Sequence, residues 1–502
     1  MSTAPGALQG LRDPRWLGYP LAVVLGGVVV AWGVMNMRLV LAGGIGLALM
    51  LLLALYYWRR LPRIYLTILW ISLLGYAFAD KGFAYVGFSP LYIGEVLLLL
   101  GVLTFLLSNG FRVVRSSPLT WLYIAFAGWG LVRTIPYITS YGLVALRDAV
   151  IWGYGVFALI VAACLIRTGW LARVPNAYRR FLPWFICWVP IMLLARMTVQ
   201  SITPTWPGTG VRMISVKPGD LEVHLAGVAA FILVGLYTWG RERDESSGLK
   251  EWLLWIGWLA GFMPAAMRNR GGMMAVFFAL AVVLVLRPGR NWRKLVLVGT
   301  ILASLALLSN LEMEFGAERE LSVPQLIENI QSVFTEDVEE QRLSATRRWR
   351  LRWWETIRDD TLFGPYFWTG KGFGMSLGED ASVSVKEETR SPHNGHLTIL
   401  ARMGVPGAVL WLLLLGTFSV SILRAYWRAR SEGQEWWARV NLWILAYWSA
   451  FLINGSFDVY LEGPQGGIWF WSVFGVGLAA LEVQRRRPAP ARSRLRIQNA
   501  RA

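Results

Sequence analysis

Long apolar runs separated by short polar connections dominate this 502-residue chain. A helix needs about 20 mostly apolar residues to cross a bilayer. By that criterion we predict about fourteen spans, at 19–36, 39–58, 64–79, 91–108, 119–135, 145–166, 181–199, 221–239, 252–267, 272–287, 295–309, 404–423, 440–457 and 466–482. The pattern predicts an all-α polytopic membrane protein.

Every second connection between these spans is basic. Its members include Arg59, Arg60, Arg112, Arg115, Arg179, Arg180, Arg241, Arg243, Arg290, Arg293, Arg424 and Arg428. The other short connections, such as 81–90 and 454–467, are nearly free of Lys and Arg. Because basic loops stay in the cytoplasm, this alternation predicts an even number of spans with both termini inside.

The polar segments divide the chain into four parts. We predict a transmembrane bundle of about eleven helices over 1–309, a large periplasmic loop over 310–403, about three further spans over 404–482 and a basic cytoplasmic tail over 483–502. Apolar residues at helical spacing predict amphipathic loop helices at 323–334 and 344–357. The second would place Trp349, Trp353 and Ile357 on one face, either on the membrane surface or capping a cavity.

Composition supports a membrane protein and argues against a nucleic-acid-binding one. Hydrophobic residues make up 55% of the chain and charged residues only 16%, where a soluble protein carries about 25% charge. The formal net charge of +18 is distributed through the loops, where it is expected to set topology. Cys164 and Cys187 both lie in predicted spans, so no disulfide framework is indicated.

Two of the three histidines lie close together before a membrane span. His393 and His396 occur in Ser391-Pro392-His393-Asn394-Gly395-His396. Ser391 is predicted as the helix N-cap and Pro392 as part of the first turn, which would put both imidazoles on one helical face. This helix would end near Met403, before the breaking sequence Gly404-Val405-Pro406-Gly407. Histidine is the usual general base near neutral pH; His224, in contrast, is expected to be structural.

Several cations fall on the predicted outer side, against the charge rule. They are Arg147, Arg196, Arg212, Lys217, Arg268 and Arg270. Arginines at the membrane edge are functional candidates, and their planar forks of donors suit phosphate oxygens. Alone, each could equally snorkel or bind lipid headgroups. Together they predict a pyrophosphate site that needs no metal.

Neither a metal nor a cofactor is expected. The histidines are too few for a zinc site, and no Asp-x-Asp pair occurs in an outer loop. Gly370, Gly372 and Gly374 form a glycine-rich turn, but no strand precedes them, so nucleotide binding is unsupported.

These motifs resemble those of the O-antigen ligase and polymerase family. Ser391-Pro392-His393-Asn394-x-x-Leu397 with Gly404-x-x-Gly407 is similar to the family signature that follows a large periplasmic loop. Asn269-Arg270-Gly271-Gly272 resembles the family's Ser-Arg-Gly element, with Asn in place of Ser. The glycine-rich turn, with Arg348 and Trp354 before it, looks like the family's Arg…Trp…Gly-x-Gly segment. The resemblance covers roughly residues 250–425.

The resemblance implies a glycosyltransferase of the GT-C type in the bacterial inner membrane. Its donor would be a glycan on undecaprenyl pyrophosphate, and its acceptor a hydroxyl of a glycan or lipid at the periplasmic face. His393 would accept the acceptor proton, and preorganised arginines would stabilise the leaving group. The residues expected to bind substrate are Arg270, Arg147, Arg390, Arg268, Asn394 and His396. Other polysaccharide-assembly proteins are further expected partners.

Three functions remain open on the sequence alone. A polymerase would extend a lipid-linked glycan, whereas a ligase would transfer finished glycan to lipid A core or to protein; chain length and span number slightly favour the polymerase. A flippase of lipid-linked oligosaccharide is the alternative from another class. Ionisable residues are scarce at mid-membrane depth and no internal repeat is visible, and both observations disfavour a transporter.

Overall fold

The structure is a computed structural model that describes residues 59–240, 246–287, 341–378 and 390–486, together with 293, 296 and 300. The chain divides into two compact units, 1–64 and 65–502. Several predicted elements lie wholly or mostly outside the described residues: the spans at 19–36, 39–58 and 295–309, the amphipathic helix at 323–334 and the tail beyond 486.

Helices make up nearly all the regular structure of the described residues. They are α1 Leu61–Ala79, α2 Ile93–Leu107, α3 Gly110–Val114, α4 Pro118–Tyr141, α5 Leu143–Asp148, α6 Val150–Gly153, α7 Val156–Thr168, α8 Val174–Leu194, α9 Arg196–Ile202, α10 Pro218–Leu233, α11 Ser246–Arg268, α12 Arg270–Leu286, α13 Gln341–Arg358, α14 Gly395–Ser431, α15 Glu435–Gly455 and α16 Pro464–Arg485. A small antiparallel hairpin pairs β1 (Gly87–Phe88) with β2 (Leu91–Tyr92). Short 3-10 turns cover Phe83–Tyr85, Trp170–Arg173 and Tyr460–Glu462, and a π-turn covers Asp359–Phe363.

Each predicted span within the described residues overlaps a helix. Four stretches there are long and apolar enough to cross a membrane: Leu61–Ala79, Val150–Thr168, Gly395–Ser431 and Pro464–Arg485. Two shorter apolar helices are α2 and α12. The helical class and the membrane character are therefore confirmed, whereas the number of about fourteen crossings stays a prediction.

The predicted span 145–166 differs from a single helix. The structure divides it into α5, α6 and α7. A Cβ at Gly155, between the last two helices, would lie 2.1 Å from the Tyr123 ring. Glycine here admits a close approach of α4 to the backbone. The break leaves Asp148, at the end of α5, available for the contacts described below.

Close helix packing places α10 at the centre of the second unit. All sixteen residues of α10 are buried, including Asp220, Glu222 and His224. On α11, Gly257 and Gly261 let α8 approach, because added Cβ atoms would lie 2.6 Å from Ile186 and 2.9 Å from Val189. Small residues four apart are a common means of close helix contact in membranes.

Helix α13 packs its apolar face on protein. Trp353 and Ile357 are buried with Leu377 and Ala401, and Trp353 Nε1 donates to the Leu377 carbonyl at 2.8 Å. Of the two alternatives drawn from the sequence, the contacts favour a capping helix over one lying on the membrane surface. The first turns of α14 lie beneath it, and this helix kinks at Gly404, where φ is 68°, in agreement with the predicted break.

Candidate active site

The histidine motif begins its helix later than predicted. Asn394 is the N-cap of α14, and its side-chain oxygen accepts hydrogen bonds from the His396 N–H (3.0 Å) and the Leu397 N–H (3.1 Å). The prediction of Ser391 as the cap is therefore wrong. His393 precedes the helix with a φ of 54°, so the expectation that it shares a helical face with His396 is also wrong.

Ser391 is drawn away from the helix end by a carboxyl group. Its hydroxyl donates to Glu462 Oε1 at 2.7 Å, and the Thr398 hydroxyl donates to the same atom at 2.8 Å. Burial raises the pKa of Glu462 above its usual value, although both hydrogen bonds oppose that shift. These bonds tie the segment before His393 to the loop between α15 and α16.

His393 is partly accessible and lies beside a carboxylate. Its side chain is 27% exposed, and its Nδ1 is 3.8 Å from Asp458 Oδ1. The Trp349 ring of α13 meets the imidazole edge-on, with 5.9 Å between centroids. A left-handed backbone is unusual for a residue with a side chain, and such strained residues cluster at functional sites. The imidazole of His393 thus lies between the Trp349 ring and the Asp458 carboxylate.

Asp458 is an ionised residue of the loop between α15 and α16. It forms an ion pair with Lys217 and accepts the Val459 N–H at 2.7 Å. Burial would raise the pKa of Asp458, but its interactions with His393 and Lys217 outweigh that effect and hold it at about 2. The carboxylate beside His393 therefore stays charged at neutral pH.

The neighbouring residue of that loop, Phe457, meets two arginine-bearing segments. A Cβ added at Gly271, next to Arg270 at the start of α12, would lie 2.8 Å from Phe457 Cβ. The Phe457 carbonyl accepts from Arg350 Nη1 at 3.4 Å. Consecutive loop residues thus contact the histidine motif, α13 and the first turn of α12, three segments far apart in sequence.

The start of α12 also explains the Asn in the Asn-Arg-Gly-Gly element. Asn269 is the N-cap, and its Oδ1 accepts the Gly272 N–H at 2.8 Å. Ser and Asn serve this role about equally well, so the departure from the family pattern leaves the helix start intact. Arg270 is half-buried directly after the cap.

Arg350 was not among the predicted site residues. Its guanidinium lies 5.6 Å from the Trp349 ring centroid, and its buried Nε has no hydrogen-bond partner among the described residues. Burial lowers the pKa of Arg350 from its ordinary value, and the Asp458 charge opposes that shift. One sequence signal was available, because Arg350 lies four residues before Trp354 and therefore on the same face of α13. In the structure, Trp354 Nε1 donates to the carbonyl of Pro392, beside His393, at 2.9 Å.

Arg390, a predicted substrate-binding residue, lies instead in a second cluster around Asp148. It contacts Asp148 Oδ2 at 3.1 Å and donates to the Gly374 carbonyl at 2.6 Å. Arg402, which was not predicted, is 2.9 Å from the same carboxylate oxygen and donates to the Gly372 carbonyl at 3.1 Å. A charged residue within an apolar stretch was the signal for Arg402. This cluster fastens the glycine-rich turn.

The remaining predicted residues occupy separate positions. Arg147 is exposed on α5, and Arg268 donates to the Leu193 carbonyl near the end of α8 at 2.9 Å. His396 Nδ1 accepts from Trp411 Nε1 at 3.0 Å, which leaves the Nε2–H to donate to the Leu452 carbonyl at 3.3 Å. His224 is buried between the hydroxyls of Tyr447 (2.7 Å) and Tyr460 (3.2 Å).

Within the described ranges, no group of three or more His, Cys, Asp or Glu side chains is arranged to hold a metal ion. The helices that are apolar and long enough to cross a bilayer make this a helical membrane protein.

A comparison with known families relates part of the chain to one of them. Residues 253–412 match the family model described as O-antigen ligase, which confirms the family resemblance predicted from the motifs. The match covers most of α11, all of α12 and α13, and the first half of α14. This part of the membrane protein is thus similar to the O-antigen ligase family, whose members are glycosyltransferase-like enzymes that use lipid-linked glycan donors. No curated protein matches the chain.

Proposed function

We propose that this protein transfers a glycan from undecaprenyl pyrophosphate to an acceptor hydroxyl, without a metal, at the periplasmic face of the bacterial inner membrane. One observation carries the proposal: Phe457 and Asp458 meet His393, Arg350 and the first turn of α12 at one loop. A base and cations in one place are what this displacement requires. The termini are proposed to lie in the cytoplasm.

The proposed roles follow from the chemistry of each group. His393 takes the proton of the acceptor hydroxyl, and Asp458 orients the imidazole and stabilises it when it is protonated. Arg270 and Arg350 stabilise the charge that develops on the departing pyrophosphate. The hydrogen-bond partners of Asn394 and His396 support a role in positioning the His393 segment. Arg147 and Arg268 would extend the binding site for the donor.

The test is a transfer assay with purified protein, lipid-linked glycan and candidate acceptors, run with and without a chelator. His393→Ala should lower the rate by about 10²–10⁴-fold, the usual contribution of a general base. Lys81→Ala is the control, because Lys81 is exposed on a loop of the same predicted outer side. Undiminished product from the His393 variant would rule out the base role, and loss of transfer on chelation would contradict a metal-free reaction.

A polymerase is favoured slightly over a ligase, by chain length and number of predicted spans. Deletion of the gene separates the two. Long lipid-linked chains should vanish from the mutant if the protein is a polymerase, whereas their accumulation would indicate a ligase that moves finished glycan to lipid A core or to protein.

A flippase remains the alternative from another class. It would move lipid-linked oligosaccharide across the bilayer and form no glycosidic bond. Transfer by purified protein in detergent, where there is no membrane to cross, would support the enzyme and exclude transport as the sole activity. The His393 motif and its carboxylate partner favour the enzyme.

A further inference from the structure

A group of buried acids lies behind His393, at the predicted outer ends of α1, α10 and α15. Asp80 directly follows α1, Asp220 is in the first turn of α10, and Asp458 follows α15. Their relative exposures are 3%, 5% and 5%. Lys217, just before α10, supplies positive charge to these three acids. An acid left without compensation at this depth would be costly.

Two contacts fix Lys217 at this group. Its side-chain amine forms the ion pair with Asp458, and its backbone N–H donates to Asp80 Oδ2 at 2.8 Å. Two residues before Lys217, the Ser215 N–H donates to the carbonyl of Ala79, the last residue of α1, at 3.3 Å. The backbone of Lys217 is thus anchored independently of its amine, and its side chain, 46% exposed, can be changed without opening a buried cavity.

Asp458 consequently serves two basic groups. Lys217 contacts Oδ2, and His393 Nδ1 lies 3.8 Å from Oδ1. The lysine is charged: partial desolvation alone would lower the pKa of Lys217, but the charges of Asp220 and Asp458 raise it overall. A carboxylate already neutralised by an ammonium group stabilises a nearby imidazolium less than a lone carboxylate does.

We propose that Lys217 is a positioning residue that shares the Asp458 carboxylate with His393 and so limits how strongly that carboxylate acts on the imidazole. This inference rests on the proposed function and adds a control over the pH range in which the site works. The other charged or titratable groups that act on Asp458 or are acted on by it are Asp80, Asp220, Arg350 and Tyr460. None of them replaces the ammonium contact at Oδ2.

The test is the pH–rate profile of Lys217→Met in the transfer assay. Without the ammonium group, Asp458 offers its full charge to the imidazole, so the acidic limb should move to higher pH by about 1 unit. Lys217→Arg should restore the wild-type limb, because it restores the cation. The matched control is Lys81→Met, since Lys81 is exposed on the same side next to Asp80, and it should leave the limb unchanged.

A second pair of variants separates the mechanism from a folding defect. In an Asp458→Asn background, Lys217→Met should no longer move the limb, because the shared charge is gone. Lys217→Gln, which keeps a polar side chain, should move the limb as Met does.

Loss of activity with an unmoved limb in Lys217→Met would overturn the inference, as would a shift that persists in the Asp458→Asn background. Full activity of His393→Ala would instead overturn the proposed function itself, so the two failures are distinguishable.

Discussion

Two carboxylates on the predicted outer side, those of Asp148 and Asp458, each have several basic residues around them, but the contacts of these basic residues differ. The Asp148 cluster comprises Asp148, Arg390, Arg402 and the glycine-rich turn, and both of its arginines also donate to backbone carbonyls. The Asp458 cluster comprises Asp458, Lys217, His393 and Arg350. There the imidazole is partly exposed, and Arg350 donates over a long 3.4 Å to the Phe457 carbonyl.

The two clusters differ in how many hydrogen bonds their arginines form with other protein groups. Nε of Arg390 and Nε of Arg350 both lack a hydrogen-bond partner among the described residues, but Arg390 is held by a carboxylate and a carbonyl through its Nη2. Arginines held in this way stabilise the fold and have fewer donors left for a ligand. A cluster with open donors and an accessible base can bind a substrate and react with it. These contacts therefore predict a structural role for the Asp148 cluster and support the catalytic role proposed for the Asp458 cluster.

The largest expected effect on stability is the loss of Arg402. Its replacement by Met leaves Asp148, whose side chain is 11% exposed, with Arg390 as its remaining described cation, and removing one partner of a buried ion pair costs about 3–5 kcal/mol. Thermal unfolding in detergent should show a large fall in melting temperature, with Arg424→Met as the control, because Arg424 is exposed on the same helix. An unchanged melting temperature would mean that the Asp148 cluster does not hold the turn.

The next effect is on catalysis and lies in the Asp458 cluster. Arg350→Ala should lower glycan transfer by about 10²–10³-fold, the usual loss when one donor to a developing negative charge is removed, with little change in melting temperature. Arg352→Ala, two residues further along α13 and exposed, should transfer at the wild-type rate. Equal losses of transfer in the two variants would show that the effect does not depend on the contact of Arg350 with the Asp458 cluster.

Arg390 gives the sharpest comparison, because its sequence context suggests a substrate ligand and its contacts suggest a structural role. Arg390→Ala should destabilise the protein by about 1.5–3 kcal/mol, the value of hydrogen bonds to a charged group, and should slow the folded enzyme less than Arg350→Ala does. Rates would be normalised to folded protein by size-exclusion chromatography. Normal melting with abolished transfer would instead assign Arg390 to the donor site.

The smallest effect concerns the acid behind the Asp458 cluster. Burial raises the pKa of Asp80 from 3.8 to about 7, against the opposing effect of Lys217. A carboxyl group whose pKa is raised in the folded state loses stability as pH rises from its unfolded pKa to its folded pKa. Asp80→Asn cannot ionise, so its melting temperature relative to wild type should rise by a few degrees between about pH 4 and pH 7. The exposed Asp359→Asn serves as control, and a pH-independent difference for Asp80→Asn would contradict the assignment.

Local pattern predicted the helices well but not every boundary. The N-cap of α14 shows why, because Ser391 and Asn394 are both good caps and only a distant carboxyl group distinguishes them. Glu462 accepts the Ser391 hydroxyl, which leaves Asn394 to cap the helix. Without that contact, which joins residues 71 positions apart, nothing in the local sequence favours the later residue.

The amino-acid sequence by itself determined the helical membrane class, the family motifs and the chemistry that imidazole and guanidinium groups can offer, because apolar run length and short motifs are local properties. Only the tertiary structure decided which charges are paired. Arg390 meets Asp148 across 242 positions, and His393 meets an acid in the loop after α15. Burial and long-range contacts determine whether a charged side chain can bind a ligand, and neither can be inferred from the residues next to it in sequence.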